Sequence, residues 1–490
     1  MGVGVLSELL MRFWPGSCCS YNKSLIHEGL VAVGMAEGDF VWPKTPSIYQ
    51  EFMGKCAVIL RKMEEMNLPR KPIPGNEEAP DYITVNEFLW FASDNKDLIK
   101  EKVMNKAFKS VSGASRPKGG TKELSDFMDD ELLKRLAAAL RTKPFAILAG
   151  HSGTGKSRLV RKLAYMTCAD EGLMAEADNS NAPGNYCMVQ VRPNWHDSTD
   201  LLGYYSEISG KYRTTPFVEF ICKAYAYPNI PFFVCLDEMN LAPVEQYFAE
   251  YLSAIESADD KNGVFLTDAL LPKTYSSDEV MGSDAVRFTE SKNWFEKYGL
   301  TIPKNLFVVG TVNMDDTTCQ FSRKVLDRAM TILMDKVDFD SMTDAARSAA
   351  PGKGDLLKSD DIEKFLARKI RAGTLDGDQV NLLKAIDAVL GKTPFAVAYR
   401  FANEYALYED SLVALTAATK GAETAKTAMD ECVLMKVLPR IHGEQTYVEG
   451  LFNGKDGSAG LKGVLNDDTL SGKKMKEIIE RKTTYLSFWP

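Results

Sequence analysis

Gly150-His151-Ser152-Gly153-Thr154-Gly155-Lys156-Ser157 is the stretch whose residue types point most directly to one kind of chemistry. Its glycines let the backbone curl until successive N–H groups face a common centre, which is how a loop grips phosphate oxygens. Lys156 would then reach the β- and γ-phosphates of a nucleotide, and the Ser157 hydroxyl is spaced to meet Mg²⁺. With Arg158, the run Gly150 to Arg158 is the candidate nucleotide-binding segment. A merely flexible glycine-rich connection would need neither the lysine nor the serine.

A second segment supplies acids. In PFFVCLDEMN an apolar run ends in Asp237 and Glu238. An acid ending a buried strand beside a phosphate loop can support the metal shell, the role expected of Asp237 together with Ser157. Glu238 is then placed to activate a water for attack on the γ-phosphate. Taken alone, the segment reads as a strand ending in a solvated acidic turn; paired with the loop, it favours hydrolysis. In LFVVGTVNMDD, Asn313 closes another apolar strand, where an amide can touch the γ-phosphate or the attacking water. FSRKVLDRAMTIL carries Arg323 and Arg328. In a ring, one such arginine can cross to a neighbour's nucleotide and stabilise transition-state charge, while the plainer alternative for either is a surface salt bridge.

These residues need strands to carry them. From Glu123 onward, helix and strand patterns alternate: ELSDFMDDELLKRLAAAL as a helix, then strands at PFAILAG, 186–192, 231–237 and 305–313. Near-continuous apolar strands separated by helices imply a parallel sheet covered on both faces. After about residue 340 the pattern predicts helices to the end and no further strands. Upstream, 45–110 reads as helical, with one apolar stripe through Tyr49, Phe52, Cys56, Ile59, Leu60 and Met63, and a Thr84-x-x-Glu87 capping box. SVSGASRPKGGTK is the clearest linker. The expected organisation is a mostly helical N-terminal domain (1–110), a linker (111–122), a large α/β domain (123–340) and a helical lid with the C-terminal region (341–490).

Composition narrows the class. The chain has 490 residues, too many for one core, with 45% hydrophobic and 26% charged residues, as in soluble globular proteins. No apolar run approaches a membrane span, and the start carries Glu8 without a basic region before its apolar part, so no signal peptide is expected. Leu6 stands where a myristoylation motif needs Ser or Thr. Nine scattered cysteines suggest reduced thiols and a cytoplasmic setting, and four histidines without ligand spacing argue against zinc. The net charge of −8 excludes a wholly basic nucleic-acid surface.

The loop, the LDE, the strand-end Asn and the following Arg, in this order, resemble the AAA+ ATPases. Within VRPNWHDSTDLLGYYSEISGKYRTTPFVEFI, the stretch Gly203 to Thr215 resembles the hairpin of the helix-2-insert branch. LDEMNLAPVEQYFAEYLSAIES, GTVNMDDTTCQFSRKVLDRA and AMDECVLMKVLPRIHGE together resemble McrB-like proteins, the motor subunits of modification-dependent restriction systems, over roughly 123–455.

That resemblance implies an α/β AAA+ P-loop fold with a helical lid, Mg²⁺ as cofactor and ATP or GTP as substrate. It makes Gly150, Gly155, Lys156 and Ser157 the Walker A residues and Asp237 and Glu238 the Walker B pair. Asn313 and Asp316 match the family's Asn and Asp signature, Arg328 its trans-acting arginine, and Arg400 a lid arginine. Trp195 and Asp197 also fit, although Trp195 can equally be core. Val312, Met314 and Thr317 depart from the signature and leave ATP versus GTP open. The implied partners are copies of the chain in a hexameric ring, a McrC-like endonuclease subunit and DNA, with no membrane. No trusted nuclease motif is present. Trp14, Trp42, Trp90 and Phe91 could stack on a base but fit an aromatic core better. A MoxR- or midasin-like protein-remodelling ATPase is the alternative, and a nucleotide-binding scaffold a further one.

Overall fold

The computed structural model describes residues 120, 122–123, 130–178, 180–209, 211–261, 264–275, 280, 289–314, 321–334, 356–416, 418–455, 459–481 and 483–489. The chain divides into two compact units, 1–115 and 116–490, and the described residues all lie in the second. The expected N-terminal helices and their aromatic residues, most of the linker, Asp316, Thr317 and the expected boundary near 340 lie outside the described residues.

Five parallel strands form the centre: β1 (Phe145–Gly150), β2 (Tyr186–Gln190), β3 (Phe232–Asp237), β4 (Leu306–Asn313) and β5 (Met330–Leu333), in the spatial order β2-β3-β4-β1-β5. Four of the five match the expected strands within two residues. The fifth, MTIL, was not anticipated, because four residues directly after a short helix give too little pattern to register. β1 is buried at every position, as a strand with neighbours on both sides and both faces covered must be.

Side-chain alternation along the strands sorts the apolar residues onto two faces. Ala146, Leu148, Phe233, Cys235, Phe307, Val309, Met330 and Ile332 join one buried cluster. Phe145, Ile147, Phe232, Val234, Leu236, Leu306 and Val308 join the other. The second face packs against α3 (Pro216–Ala226) and α4 (Ala249–Glu256). The first is covered by α1 (Glu131–Thr142), α2 (Lys156–Thr167) and helices from the far end of the chain, including α9 (Tyr399–Thr416) and α10 (Ala422–Cys432). Between these lie α5 (Thr289–Tyr298), α6 (Arg323–Leu326), α7 (Ser359–Leu366) and α8 (Gly377–Leu390). The C-terminal helices therefore share a core with the sheet.

α1 starts where Asp130 accepts the Leu133 N–H at 3.1 Å and buries Leu133, Leu136 and Leu140 along one stripe. Beyond residue 340 the expectation of helices alone needs correction: His442–Glu444 pairs antiparallel with Tyr485–Ser487. Strands of three residues escape a periodicity argument. The Gly-punctuated stretch after α2 is a hairpin, Tyr204–Ser206 against Lys211–Arg213. No helix among the described residues is long and apolar enough to cross a membrane.

Candidate functional site

The carboxyl ends of β1, β3 and β4 converge because the strands run in register. Gly150 pairs with Asn313, and Leu236 with Gly310. Loops leaving this edge of an open parallel sheet are the usual place for a ligand. Gly150 itself is required by packing, since a Cβ there would lie 2.3 Å from the Met334 carbonyl oxygen.

The loop from His151 to Gly155 turns through left-handed backbone at Gly153 (φ 81°) and Gly155 (φ 83°), a conformation that costs other residues about 1–2 kcal/mol. α2 begins immediately at Lys156, so its positive end faces the loop. Lys156 is buried, and its Nζ donates to the carbonyls of Gly150 at 2.9 Å and His151 at 2.7 Å. Thr154 Oγ1 closes the turn onto the His151 carbonyl at 2.9 Å. His151, Ser152, Gly153 and Arg158 are exposed, so the outer wall of the loop faces solvent.

Ser157 Oγ donates to Asp237 Oδ1 at 2.8 Å. Two residues far apart in the sequence thus bring a hydroxyl and a carboxylate together beside the loop. This oxygen pair suits Mg²⁺, which takes one or two protein oxygens and completes its shell with phosphate and water. Glu238 follows in left-handed backbone, φ 52° and ψ 48°, one of two non-glycine residues with positive φ among the described residues. Such a residue persists only where its surroundings over-determine it.

Here the surroundings come from β4. Thr311 Oγ1 donates to Asp237 Oδ1 at 2.8 Å and accepts the Glu238 N–H at 3.0 Å. Next to it, Gly310 leaves room for buried Met239; a Cβ at 310 would lie 2.2 Å from Met239 Sδ. Asn313 Nδ2 approaches Glu238 Oε1 at 3.5 Å. Two residues of one strand, Thr311 and Asn313, therefore hold both acids, and Gly310 makes room beside them. Sequence reasoning found Asn313 and missed Thr311, whose signal was a lone hydroxyl inside the apolar run LFVVGTVN.

The structure brings Gly150 to Arg158, Asp237, Glu238 and Asn313 to one edge; the arginines sit elsewhere. Ala146 pairs with Met330, so Arg328, two residues earlier, lies by the amino end of β1. At about 3.3 Å per residue, six residues of strand put it roughly 20 Å from Gly150. Arg328 Nη1 donates to the Lys324 carbonyl at 3.3 Å, and its Nε lies 3.9 Å from Glu256 Oε1. Glu256 also takes Lys143 at 2.9 Å and Arg400 at 2.5 Å. Arg323 faces the chain's own C-terminal region, donating to the Pro394 carbonyl at 2.6 Å. Trp195 is buried edge-on to Tyr247, with centroids 5.2 Å apart. Asp197 accepts the Thr199 N–H at 2.8 Å, so both residues serve local structure.

With this geometry in place, the chain compares as follows. A family model described as a domain of unknown function (DUF8727) matches residues 354–485. Among curated proteins, the Type IV methyl-directed restriction enzyme EcoKMcrB subunit of Escherichia coli (strain K12) is 24% identical over 216 residues. That match covers 44% of this chain and 40% of the relative, so the chain spans less than half of that protein's length. A solved protein of Cytophaga hutchinsonii ATCC 33406, assigned as an ATPase, is 15% identical with a TM-score of 0.38, covering 71% of this chain and 89% of its own. The chain resembles McrB-like AAA+ NTPases, and its fold is α/β, a five-stranded parallel sheet whose β1 runs through the glycine-rich loop into α2.

Proposed function

We propose that the chain is a Mg²⁺-dependent nucleotide-hydrolysing motor working as a ring in a DNA restriction or defence system, beside a McrC-like nuclease. The observation that carries the hydrolytic reading is the Ser157–Asp237 contact at 2.8 Å beside the buried Lys156, with Glu238 fixed next to it. A scaffold that only bound nucleotide would have no use for an acid held in strained backbone.

In this reading the loop N–H groups and Lys156 grip the β- and γ-phosphates of ATP or GTP. Ser157 and Asp237 would hold Mg²⁺, which when bound neutralises phosphate charge. Glu238 accepts a proton from the water that attacks the γ-phosphate, and Asn313 orients that water. Arg328 serves the neighbouring subunit's nucleotide, which agrees with its lying at the sheet edge opposite its own loop. The proposed organisation keeps 1–110 for target recognition, 111–122 as a linker, 123–340 as the motor and 341–490 as the lid, acting in the cytoplasm. The hairpin favours a second reading, a protein-remodelling ATPase, because it exposes Tyr204, Tyr205 and Ile208 to a passing partner.

The test is phosphate release from ATP and from GTP, each with and without DNA, for the wild type and Glu238→Gln. The expected result is turnover of one nucleotide, reduced about 10²–10⁴-fold by the substitution with binding retained. Equal turnover in both proteins sinks the hydrolytic assignment. Turnover indifferent to DNA and raised by a protein substrate moves the chain to the remodelling class.

A further inference from the structure

The segment Ala428–Glu444, AMDECVLMKVLPRIHGE, carries two cations that the proposed site does not use, Lys436 and Arg440. Helix α10 widens at its end into a π-helical turn, Val433–Val437, followed by a tight turn at Leu438–Arg440. Wide turns of this kind are uncommon, and many lie at functional positions. This one carries Lys436, whose side chain is 4% exposed. A lysine so deeply buried is costly unless several groups share its charge.

Its partners surround one residue. Lys436 Nζ donates to the carbonyl of Asp327 at 3.1 Å and to that of Ala329 at 3.2 Å. It also pairs with the buried Glu404 carboxylate, which is shared with Lys143 at 2.6 Å. Arg440 Nη1 reaches Asp327 Oδ1 at 2.7 Å, while its Nη2 donates to the Phe395 carbonyl at 2.7 Å. The carbonyls of the residues before and after Arg328 are thus held from the C-terminal region, and its side chain is steered by Glu256, itself bonded to Lys143. The contacts to Asp327, Ala329 and Arg328 converge on the turn before β5, and none of these touches the phosphate loop.

We propose that Lys436 and Arg440 are positioning residues for Arg328, through which the C-terminal region sets where that arginine points. This rests on the reading of Arg328 as the residue serving a neighbouring subunit's nucleotide. A clamp on both flanking carbonyls removes the backbone freedom that would let a long side chain wander. A displacement of about 1 Å is enough to cost two orders of magnitude in rate.

The experiment measures turnover of whichever nucleotide the wild type hydrolyses, and equilibrium binding of the same nucleotide, for Lys436→Met, Arg440→Gln and Arg328→Ala, singly and combined. Lys436→Met and Arg440→Gln should each lower kcat about tenfold or more, with nucleotide affinity within about twofold. In the Arg328→Ala background both should be silent, a non-additivity that a merely structural role would not produce. Losses that multiply across the two backgrounds, unchanged kcat, or weakened binding would overturn the positioning role while leaving Arg328's own role intact. Full activity of Arg328→Ala would remove the trans-arginine reading and this inference with it. Should Lys436→Met fail to fold, as judged by thermal melting, Arg440→Gln decides the same question at a partly exposed position.

Discussion

The two ends of the parallel sheet are built on opposite physical plans. At the carboxyl end, short side chains meet: Ser157 on Asp237, Thr311 on Asp237 and on the Glu238 N–H, and Asn313 towards Glu238. Its order comes from hydrogen bonds that neutral side chains donate to two carboxylates, and from one strained residue. At the amino end, long charged side chains from distant segments mesh: Lys143 with Glu256 and Glu404, Arg400 with Glu256, Lys436 with Glu404 and the turn around Arg328. The first plan suits a reaction centre, where each short group must hold its place and its reach. The second suits a joint, because bonds between remote segments make one segment's position depend on another's.

The largest effect should come from setting the two ends against each other. Lys156→Ala damages only the carboxyl end and Arg328→Ala only the amino end, and each alone should lose about 10³-fold or more in turnover. Mixed before assembly, the two variants should recover a measurable fraction of wild-type phosphate release, since some interfaces then combine an intact loop with an intact arginine. A mixture as inactive as its parts would break the comparison, because both ends would then belong to a single site.

A smaller effect sharpens the description of the carboxyl end. Thr311→Ala and Thr311→Ser both lose the methyl group and differ only in the hydroxyl. Alanine should lower kcat about 10- to 100-fold and raise the Mg²⁺ concentration needed for half-maximal turnover, while serine stays near wild type. Equal behaviour of the two would assign Thr311 to packing alone.

The smallest effect is a slope. Burial pushes the Glu404 carboxyl up, but the ammonium groups of Lys436 and Lys143 outweigh it and hold the group below its ordinary 4.5. As pH falls, the unfolded chain takes up this proton before the native one does. The stabilisation is therefore present above pH 4.5 and lost below it, as the native pKa is approached. Glu404→Gln should flatten the acid limb of the urea-unfolding stability curve by about one proton or less. An unchanged limb would show that the joint is not held by this charge.

The difference between the ends also explains what could be read from the sequence. Gly150 to Ser157 is contiguous, and Asp237, Glu238 and Asn313 each close an apolar run, so local pattern was enough to locate them. Thr311 was missed because its meaning depends on β3 and β4 lying side by side. The joint was invisible for the same reason on a larger scale: Lys143, Glu256, Glu404 and Lys436 become neighbours only through the fold. The hairpin at Tyr204–Arg213 was expected through the resemblance of its Gly-punctuated stretch to the helix-2-insert hairpin, whereas β5 and the ribbon His442–Glu444 with Tyr485–Ser487 are too short to show a period.

The sharing of one core between the sheet and the C-terminal helices has a consequence for biosynthesis. Ala146, Leu148 and their neighbours on that face stay only partly covered until Phe401, Tyr405, Tyr408 and Met429 have been made, about 250 residues later. At ribosomal rates this leaves a sticky surface open for on the order of tens of seconds. The nascent chain is thus a natural client for chaperones that shield apolar surface, and truncations that remove the last helices should yield aggregates rather than a smaller soluble motor.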